Sequence, residues 1–320
     1  MAIVDLALSN ILSPMILFFA LGAAAALARS DLSVPEAIAK GLSLYLMMSI
    51  GFKGGVGVAT QGVSGLMAAS LLMGIALSAL LPLIAFALLT RTTRLSQVDA
   101  AAIAAHYGSI SIVTFLAASQ ALESSKIPSE GFMVAVAAAM ETPAIMVALW
   151  LAKGKQKSEG GDVWREVALN GSIVVLVGSF FIGWITGAEG LKSIAAFVVD
   201  PFKGVLCLFL LDMGVIAGRG FREGRKSLSK EVIAFGLYMP LIGATIGLVA
   251  ARLLGLSMGG TALLITLCAS SSYIAVPAAL RLALPEAKPS VYLPLSLGVT
   301  FPFNLTVGIP LYLTMASLFR

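Results

Sequence analysis

The chain is 320 residues long, 59% apolar and 12% charged, with a mean hydropathy of +0.99. About a quarter of the residues in soluble domains are charged, so this composition excludes a soluble protein and indicates a polytopic helical membrane protein. The net charge of +5 does not indicate a nucleic-acid partner, because the basic residues lie in short segments between apolar stretches. At such positions Lys and Arg determine how the chain is oriented in the membrane.

Ten apolar segments of roughly membrane-spanning length follow one another along the chain. They are predicted at Ile11–Leu27, Glu36–Val58, Gly65–Leu89, Gln97–Leu122, Gly131–Leu151, Val163–Thr186, Ala195–Ala217, Glu231–Leu254, Gly259–Leu284 and Tyr292–Leu318. If the N-terminus is outside, most of the 21 Lys and Arg residues fall on the cytoplasmic side. This asymmetry predicts that both termini lie outside.

The second half of the chain repeats the first at an offset of 163 residues. The matching pairs include Lys40 and Lys203, Gly51 and Gly214, Gly55 and Gly218, and Gly57 and Gly220. We therefore predict a first five-helix repeat at 1–153, a cytoplasmic linker at 154–162 and a second five-helix repeat at 163–320. Five spans in each half give the two halves opposite orientations, and such an inverted repeat is typical of secondary transporters.

The fourth and ninth spans each carry a polar cluster halfway along their length. The candidate substrate-binding residues are Gly108, Ser109, Ser111, Thr114, Ser270, Ser271 and Ser272, with Tyr273 directly beside the second cluster. We predict that both spans are broken helices that cross at the membrane centre. Their free backbone groups and hydroxyls would then bind a small anionic substrate. Small residues also allow helices to pack closely, which remains the alternative interpretation.

Four further polar residues are candidates for binding a coupling ion, either Na⁺ or H⁺. They are His106, Glu141, Thr300 and Asn304. A carboxylate and an amide beside prolines offer oxygen ligands for Na⁺, and Glu141 or the single histidine could instead carry a proton. A purely structural role remains open for both. No catalytic motif is present, so we predict neither an enzyme nor a cofactor, and no metal other than the coupling Na⁺.

Several short motifs are similar to those of a known family. They are Pro35-Glu-Ala, Gly51-x-x-Gly-Gly55, Val98-Asp-Ala-x-Ala, Leu122-Glu-Ser-Ser-Lys-Ile127, Ala269-Ser-Ser-Ser272 and Pro285-x-x-x-Pro-Ser-x-Tyr292. The chain resembles the sodium-dependent bicarbonate transporter family, whose best-known members are cyanobacterial. The resemblance implies an elevator-type homotrimer in a bacterial inner membrane, with core and gate domains in each protomer. It also implies that bicarbonate binds at the two helix breaks and that Na⁺ drives its uptake.

The chain departs from this family at the presumed binding region. It has Ser111-Ile-Val-Thr114 where relatives have Ser-Gly-Ser-Thr, and Tyr273 where they have Asp. Glu141-Thr-Pro143 replaces Asp-Ile-Pro, and Thr300-Phe-Pro302 replaces Gly-Thr-Pro. A transporter of another small organic anion, such as a short carboxylate, and a membrane anion sensor without transport therefore stay open. A regulatory partner of the PII type is implied by the resemblance, but the short linker after the fifth span argues against it.

Overall fold

A computed structural model describes residues 12–153, 171–224, 228–273, 276–277, 279–280 and 284–318. Within these ranges the chain is helical and contains no strand. Seven helical segments of the described chain are long and apolar enough to cross a membrane, and three of them consist of consecutive helices. This confirms a polytopic helical membrane protein. The helices are α1 Pro14–Leu27, α2 Glu36–Gln61, α3 Gly65–Thr92, α4 Gln97–Gly108, α5 Ile112–Ser124, α6 Met133–Ala139, α7 Glu141–Lys153, α8 Gly171–Val198, α9 Phe202–Gly224, α10 Lys230–Leu254, α11 Met258–Ala269, α12 Pro289–Leu295, α13 Phe301–Phe303 and α14 Ile309–Leu318.

Serine side chains start many of these helices. In each case the serine precedes the first helical residue and its hydroxyl accepts a backbone N–H from the first turn. The serines are Ser13, Ser64, Ser96, Ser111, Ser229 and Ser257. Such caps satisfy one of the N–H groups that a helix N-terminus leaves unpaired. The cap at Ser111 differs from the others because it lies between two helices in the middle of an apolar span.

Two helix pairs pack through glycine, and the glycines are those that repeat in the sequence. A Cβ at Gly55 of α2 would lie 1.9 Å from the Phe180 carbonyl oxygen of α8, and one at Gly214 of α9 would lie 2.1 Å from the Phe19 oxygen of α1. Gly51 approaches Leu176 in the first pair in the same way, and Gly218 approaches Ala23 in the second. In each pair, the later glycine of one helix contacts the later residue of the other, so the two helices run parallel. The two pairs therefore pack alike.

The boundary between the sixth and seventh spans differs from the prediction. Helix α8 continues to Val198, and α9 begins only at Phe202, whereas the sequence suggested a connection near residues 187–194. Gly187 adopts φ 59° and ψ −150° inside α8, so the helix bends at this point and resumes immediately. A positive φ is accessible to glycine without steric cost, which is why a kink replaces the predicted loop. The predicted span Ala195–Ala217 is therefore wrong, and its helix lies at Phe202–Gly224.

The start of each polar span is held by a carboxylate or a backbone group from the other half of the chain. At the beginning of α4, the Asp99 carboxylate accepts the Lys288 backbone N–H at 3.0 Å. At the beginning of α11, the Glu130 carboxylate accepts the Ser257 backbone N–H at 2.7 Å and its hydroxyl at 2.9 Å. These contacts hold the first turns of α4 and α11, the two helices that end at the polar clusters.

Candidate functional site

Both polar clusters lie where a helix ends, and we refer to these two places as the interruptions. Helix α4 ends at Gly108, and the extended residues Ser109 (φ −83°, ψ 155°) and Ser111 (φ −96°, ψ 104°) precede α5. Helix α11 ends at Ala269, and Ser270 is extended at φ −80° and ψ 166°. Each interruption leaves backbone groups without helical partners, and in an apolar environment those groups need another partner.

The two interruptions are hydrogen-bonded to each other. The Ser111 backbone N–H donates to the Ser270 hydroxyl oxygen at 2.9 Å. The Ser272 backbone N–H donates to the His106 carbonyl at 2.7 Å. All four residues are at most 3% exposed, so these bonds lie in the interior of the protein. The structure therefore brings the two predicted clusters together, although about 160 residues separate them in sequence.

His106 reinforces this contact through its side chain. Its Nδ1 lies against the Ser272 carbonyl oxygen and 3.2 Å from the Ser296 hydroxyl oxygen. The Ser296 hydroxyl oxygen accepts a hydrogen bond from the Ser271 hydroxyl at 3.1 Å. The ring packs 4.9 Å from that of Tyr292. A proton on Nδ1 fits the carbonyl contact, so Nε2 is left as an acceptor, and it has no partner among the described residues. His106 thus connects the end of α4 to the second interruption.

Ser111 and Thr114 form the N-terminal turn of α5. The Ser111 hydroxyl oxygen accepts the Thr114 backbone N–H at 3.2 Å and the Thr114 hydroxyl at 2.9 Å. The Thr114 side chain therefore points back to Ser111, the N-cap residue of α5. The first backbone N–H groups of α5 give this end of the helix a partial positive charge, which favours an anion nearby.

A small cavity lies where the interruptions meet. It has a volume of about 20 Å³ and is lined by Ile110, Ser111, Ile112, Glu141, Ser272 and Tyr273. The Glu141 carboxyl lies near the Ser109 hydroxyl and the Ile110 backbone N–H. The Tyr273 hydroxyl is buried, faces Ser111 and makes no hydrogen bond within the described part of the chain. The volume suits a single water-sized species, and the lining mixes hydroxyls, one carboxyl and apolar side chains.

The position of Glu141 follows from a break between α6 and α7. Pro143 has no N–H and would clash with the carbonyl of Ala139, which is the last residue of α6. Ser78 of α3 compensates, because its hydroxyl donates to the Met140 carbonyl at 2.5 Å and accepts the Ala144 N–H at 3.2 Å. Helix α7 then begins at Glu141, and its first turn faces the cavity.

Thr300 and Asn304 lie in the same buried region but bind other partners. The Thr300 hydroxyl donates to the Gly236 carbonyl at 2.8 Å and lies 2.5 Å from the Tyr107 hydroxyl. The Asn304 amide donates to the Ala269 carbonyl at 3.0 Å, and its oxygen accepts the Tyr312 hydroxyl at 2.6 Å. Neither side chain lines the cavity that contains Glu141. Of the four coupling-ion candidates, only Glu141 lines the cavity. His106 lies at the contact between the interruptions, and Thr300 and Asn304 lie in π-helical turns of the last helical stretch.

The last helical stretch contributes one residue, Ser296, that sequence reasoning missed. Two π-helical turns, Ser296–Thr300 and Asn304–Gly308, join α12, α13 and α14, and such turns are frequent at functional sites. Ser296, Thr300 and Asn304 are spaced four residues apart and are all at most 1% exposed. This spacing places polar groups on one helical face within an apolar span, and it is the signal that would have identified Ser296.

Hydroxyls and a buried carboxyl that meet at helix ends within apolar spans are typical of membrane proteins that handle small polar solutes. The sequence model of the Na⁺-dependent bicarbonate transporter superfamily matches residues 14–317 of the chain. The chain therefore belongs to the Na⁺-dependent bicarbonate transporter superfamily, which makes it a transporter and not an enzyme. No curated protein sequence matches it.

Proposed function

We propose that this protein is a secondary active symporter that couples Na⁺ to bicarbonate uptake and binds the anion where the two helix interruptions meet. The observation that carries the proposal is the direct contact of the interruptions beside a cavity lined by Ser111, Ser272 and Glu141. Hydroxyls and the N–H groups of α5 suit the oxygens of bicarbonate, and hydroxyls can also accept its O–H. The carboxylate of Glu141 and free carbonyl oxygens suit Na⁺.

The cavity volume of about 20 Å³ accommodates one water-sized species and is smaller than bicarbonate. The site must therefore widen to receive the substrate. The side chains of Ile112 and Tyr273 lie on its wall and would move in that step.

The proposed architecture is ten spans in two inverted five-helix repeats, with core and gate domains. The seven long apolar helices, together with α1, α9 and α11, give ten. Helices α1 and α9 pack in parallel through Gly214, which requires an odd number of crossings between them, and five lie between them in this scheme. Both termini are placed outside, in a bacterial inner membrane, and the assembly is a homotrimer. Cysteine labelling from each side of the membrane and native mass spectrometry test these assignments.

Uptake of radiolabelled bicarbonate into proteoliposomes tests the function. With an inward Na⁺ gradient we expect accumulation above that seen with K⁺ at the same membrane potential. Equal uptake in the two conditions would disprove Na⁺ coupling, and no uptake in either would disprove transport of bicarbonate.

The variant S271A/S272A tests the site. Removing both hydroxyls is expected to raise the bicarbonate concentration for half-maximal uptake roughly tenfold. Only the Ser272 hydroxyl lines the cavity, so the expected loss is that of one hydrogen bond to a charged ligand. Thr266→Val is the matched control, because the Thr266 hydroxyl is buried in α11, the helix that precedes the two serines, but donates only to Ala262. An unchanged half-saturation in the double variant would remove the site.

A second candidate substrate is a short carboxylate, favoured by the apolar wall that Ile112 and Tyr273 give the cavity. Inhibition of bicarbonate uptake by formate, acetate and pyruvate separates the two. Stronger inhibition by a carboxylate than by unlabelled bicarbonate identifies the carboxylate as the substrate. Binding without any flux would instead identify an anion sensor.

A further inference from the structure

A pocket rich in arginine lies far from the cavity, where α1 ends beside the last turns of α9. Its volume is about 450 Å³, and its lining consists of Ala26, Arg29, Ser30, Arg219 and Arg222. Three of these five side chains are guanidinium groups, so the pocket concentrates positive charge. We refer to it as the arginine pocket.

Two of the arginines are held in place by backbone carbonyls, one in the last turn of α1 and one in the segment that follows it. Arg219 donates from Nη2 to the Leu32 carbonyl at 2.9 Å, and Arg222 donates from Nη1 to the Ala26 carbonyl at 3.0 Å. A guanidinium has five N–H groups, so Arg219 has further donors after this bond. The groups are therefore positioned at the pocket before a ligand arrives, which lowers the entropic cost of binding.

Arg29 occupies a backbone position that glycine usually fills. Its φ is 62°, in the left-handed region just after α1, and the Ser30 N–H closes the helix end onto the Ala25 carbonyl at 2.9 Å. Glycine is favoured at this position of a helix C-terminus, and a non-glycine residue there is strained. An arginine at a strained backbone position beside two other arginines indicates a role for its side chain.

Arg29 and Arg219 form no ion pair with a carboxylate in the described part of the chain. The Asp212 carboxyl interacts with the charge of Arg219, but it is not within ion-pair distance. The Ser30 hydroxyl oxygen accepts the Leu32 N–H at 3.2 Å, which leaves its O–H available to donate. Guanidinium groups bind phosphate oxygens through pairs of parallel hydrogen bonds, so a phosphate is the ligand that this set of donors fits best.

The surroundings indicate where that phosphate comes from. Along the helices that end at the pocket, Leu21 and Leu27 of α1 are 55% and 54% exposed, and Leu208 of α9 is 51% exposed. Exposed leucines on membrane-spanning helices face acyl chains, and basic pockets at the ends of such helices attract anionic headgroups. We propose that the arginine pocket binds the phosphate of an anionic phospholipid, whose acyl chains lie along these leucines.

Native mass spectrometry and thermal unfolding of the full-length protein in detergent test this proposal. With dioleoyl-phosphatidylglycerol we expect retained lipid and a higher Tm, and with phosphatidylcholine neither. Inorganic phosphate and glycerol 3-phosphate, at the same concentration, are expected to leave Tm unchanged because they lack acyl chains. Equal stabilisation by inorganic phosphate would overturn the lipid assignment, and equal retention of phosphatidylcholine would show that the arginines play no part.

Arg29→Gln and Arg219→Gln test the residues, and each is expected to weaken phosphatidylglycerol retention roughly tenfold through loss of charge-assisted bonds. Arg91→Gln is the control, because Arg91 is an exposed arginine at the end of α3, away from the pocket. Arg29→Gly separates binding from folding. It relieves the left-handed strain, so we expect a higher Tm without lipid together with weaker retention. Wild-type retention in the Arg29 variants would refute the proposal.

Discussion

Glu141 owes its position to its neighbours rather than to a charged partner. Pro143 ends the preceding helix, Ser78 binds the backbone groups on either side of the break, and the carboxyl then faces the cavity between the interruptions. A carboxylate in the first turn of α7 also lies at the positive end of that helix. Because its backbone is fixed by α3, the proposed coupling ion would meet a carboxyl that is held in position.

Replacing this carboxylate tests whether it binds the coupling ion. Glu141→Gln keeps the shape of the side chain but removes the charge, so we expect the Na⁺ half-saturation of uptake to rise by roughly tenfold or more. Glu141→Asp retains the charge and is expected to have a smaller effect. Uptake into proteoliposomes over a series of Na⁺ concentrations measures both.

The control for this experiment is Asp212→Asn. Asp212 is also a buried carboxyl, but it belongs to α9 and does not line the cavity. We expect its Na⁺ half-saturation to match the wild type. If Glu141→Gln also matches the wild type, Glu141 has no part in Na⁺ binding.

For individual residues, spacing along the chain identified the two serine clusters, and the structure places them in contact. Spacing could not identify the partners of Thr300 and Asn304, because Tyr107 is 193 residues from the first and Ala269 is 35 residues from the second. Local periodicity reports which face of a helix is polar, and contacts between distant helices depend on how those helices pack. The family was predictable because its motifs are short and local.

Among the elements, the glycine-mediated helix pairs depend on the absence of a side chain. Gly55→Ala would place a methyl group 1.9 Å from the Phe180 carbonyl oxygen, so α2 and α8 must separate. We expect a loss of stability of about 1–3 kcal/mol, typical of overpacked interiors. Thermal unfolding of the purified protein in detergent measures the change.

Gly178→Ala is the matched control, since a Cβ at Gly178 of α8, the partner helix of α2, would meet nothing within 4 Å. Alanine has the higher helix propensity, so we expect this variant to be as stable as the wild type or slightly more so. Equal Tm values for the two variants would show that the close approach at Gly55 is not important for stability.

Helix α8 illustrates a limit of sequence reasoning at this scale. Residues near Gly187 include a second glycine and two charged residues, a composition typical of a loop. The chain instead bends at Gly187 and continues as helix to Val198, with Lys192 and Glu189 paired at 2.7 Å on its exposed face. Composition alone does not distinguish a loop from a kinked helix, because glycine and charged residues occur in both.

Across the whole molecule, one ion pair links helices that would move relative to each other in an elevator-type transporter. The Lys53 ammonium of α2 lies 3.6 Å from the Glu123 carboxylate of α5 and 4.7 Å above the Phe202 ring of α9. Helices α2 and α9 belong to the glycine-packed pairs, whereas α5 begins at the first interruption. Movement of the glycine-packed helix pairs relative to α5 must therefore break the Lys53–Glu123 contact.

A short bifunctional maleimide across K53C and E123C tests this movement, in a background with Cys207 and Cys268 replaced by alanine. We expect cross-linking to abolish bicarbonate uptake while leaving the protein assembled. The same reagent on the single variant K53C is the control and is expected to leave uptake intact. Full uptake by the cross-linked protein would show that α2 and α5 keep their relation during transport.

The paired bonds between His106 and Ser272 also have a consequence for how the protein is made. Their chain positions differ by 166 residues, so α4 enters the membrane long before its partner has been synthesised. Until then the His106 carbonyl and the Ser111 N–H lack the partners that they have in the folded protein. Unpaired polar groups are costly in lipid. Biogenesis therefore passes through a stage in which the first half is inserted but unstable, and the arrival of the second half completes the site and the fold together.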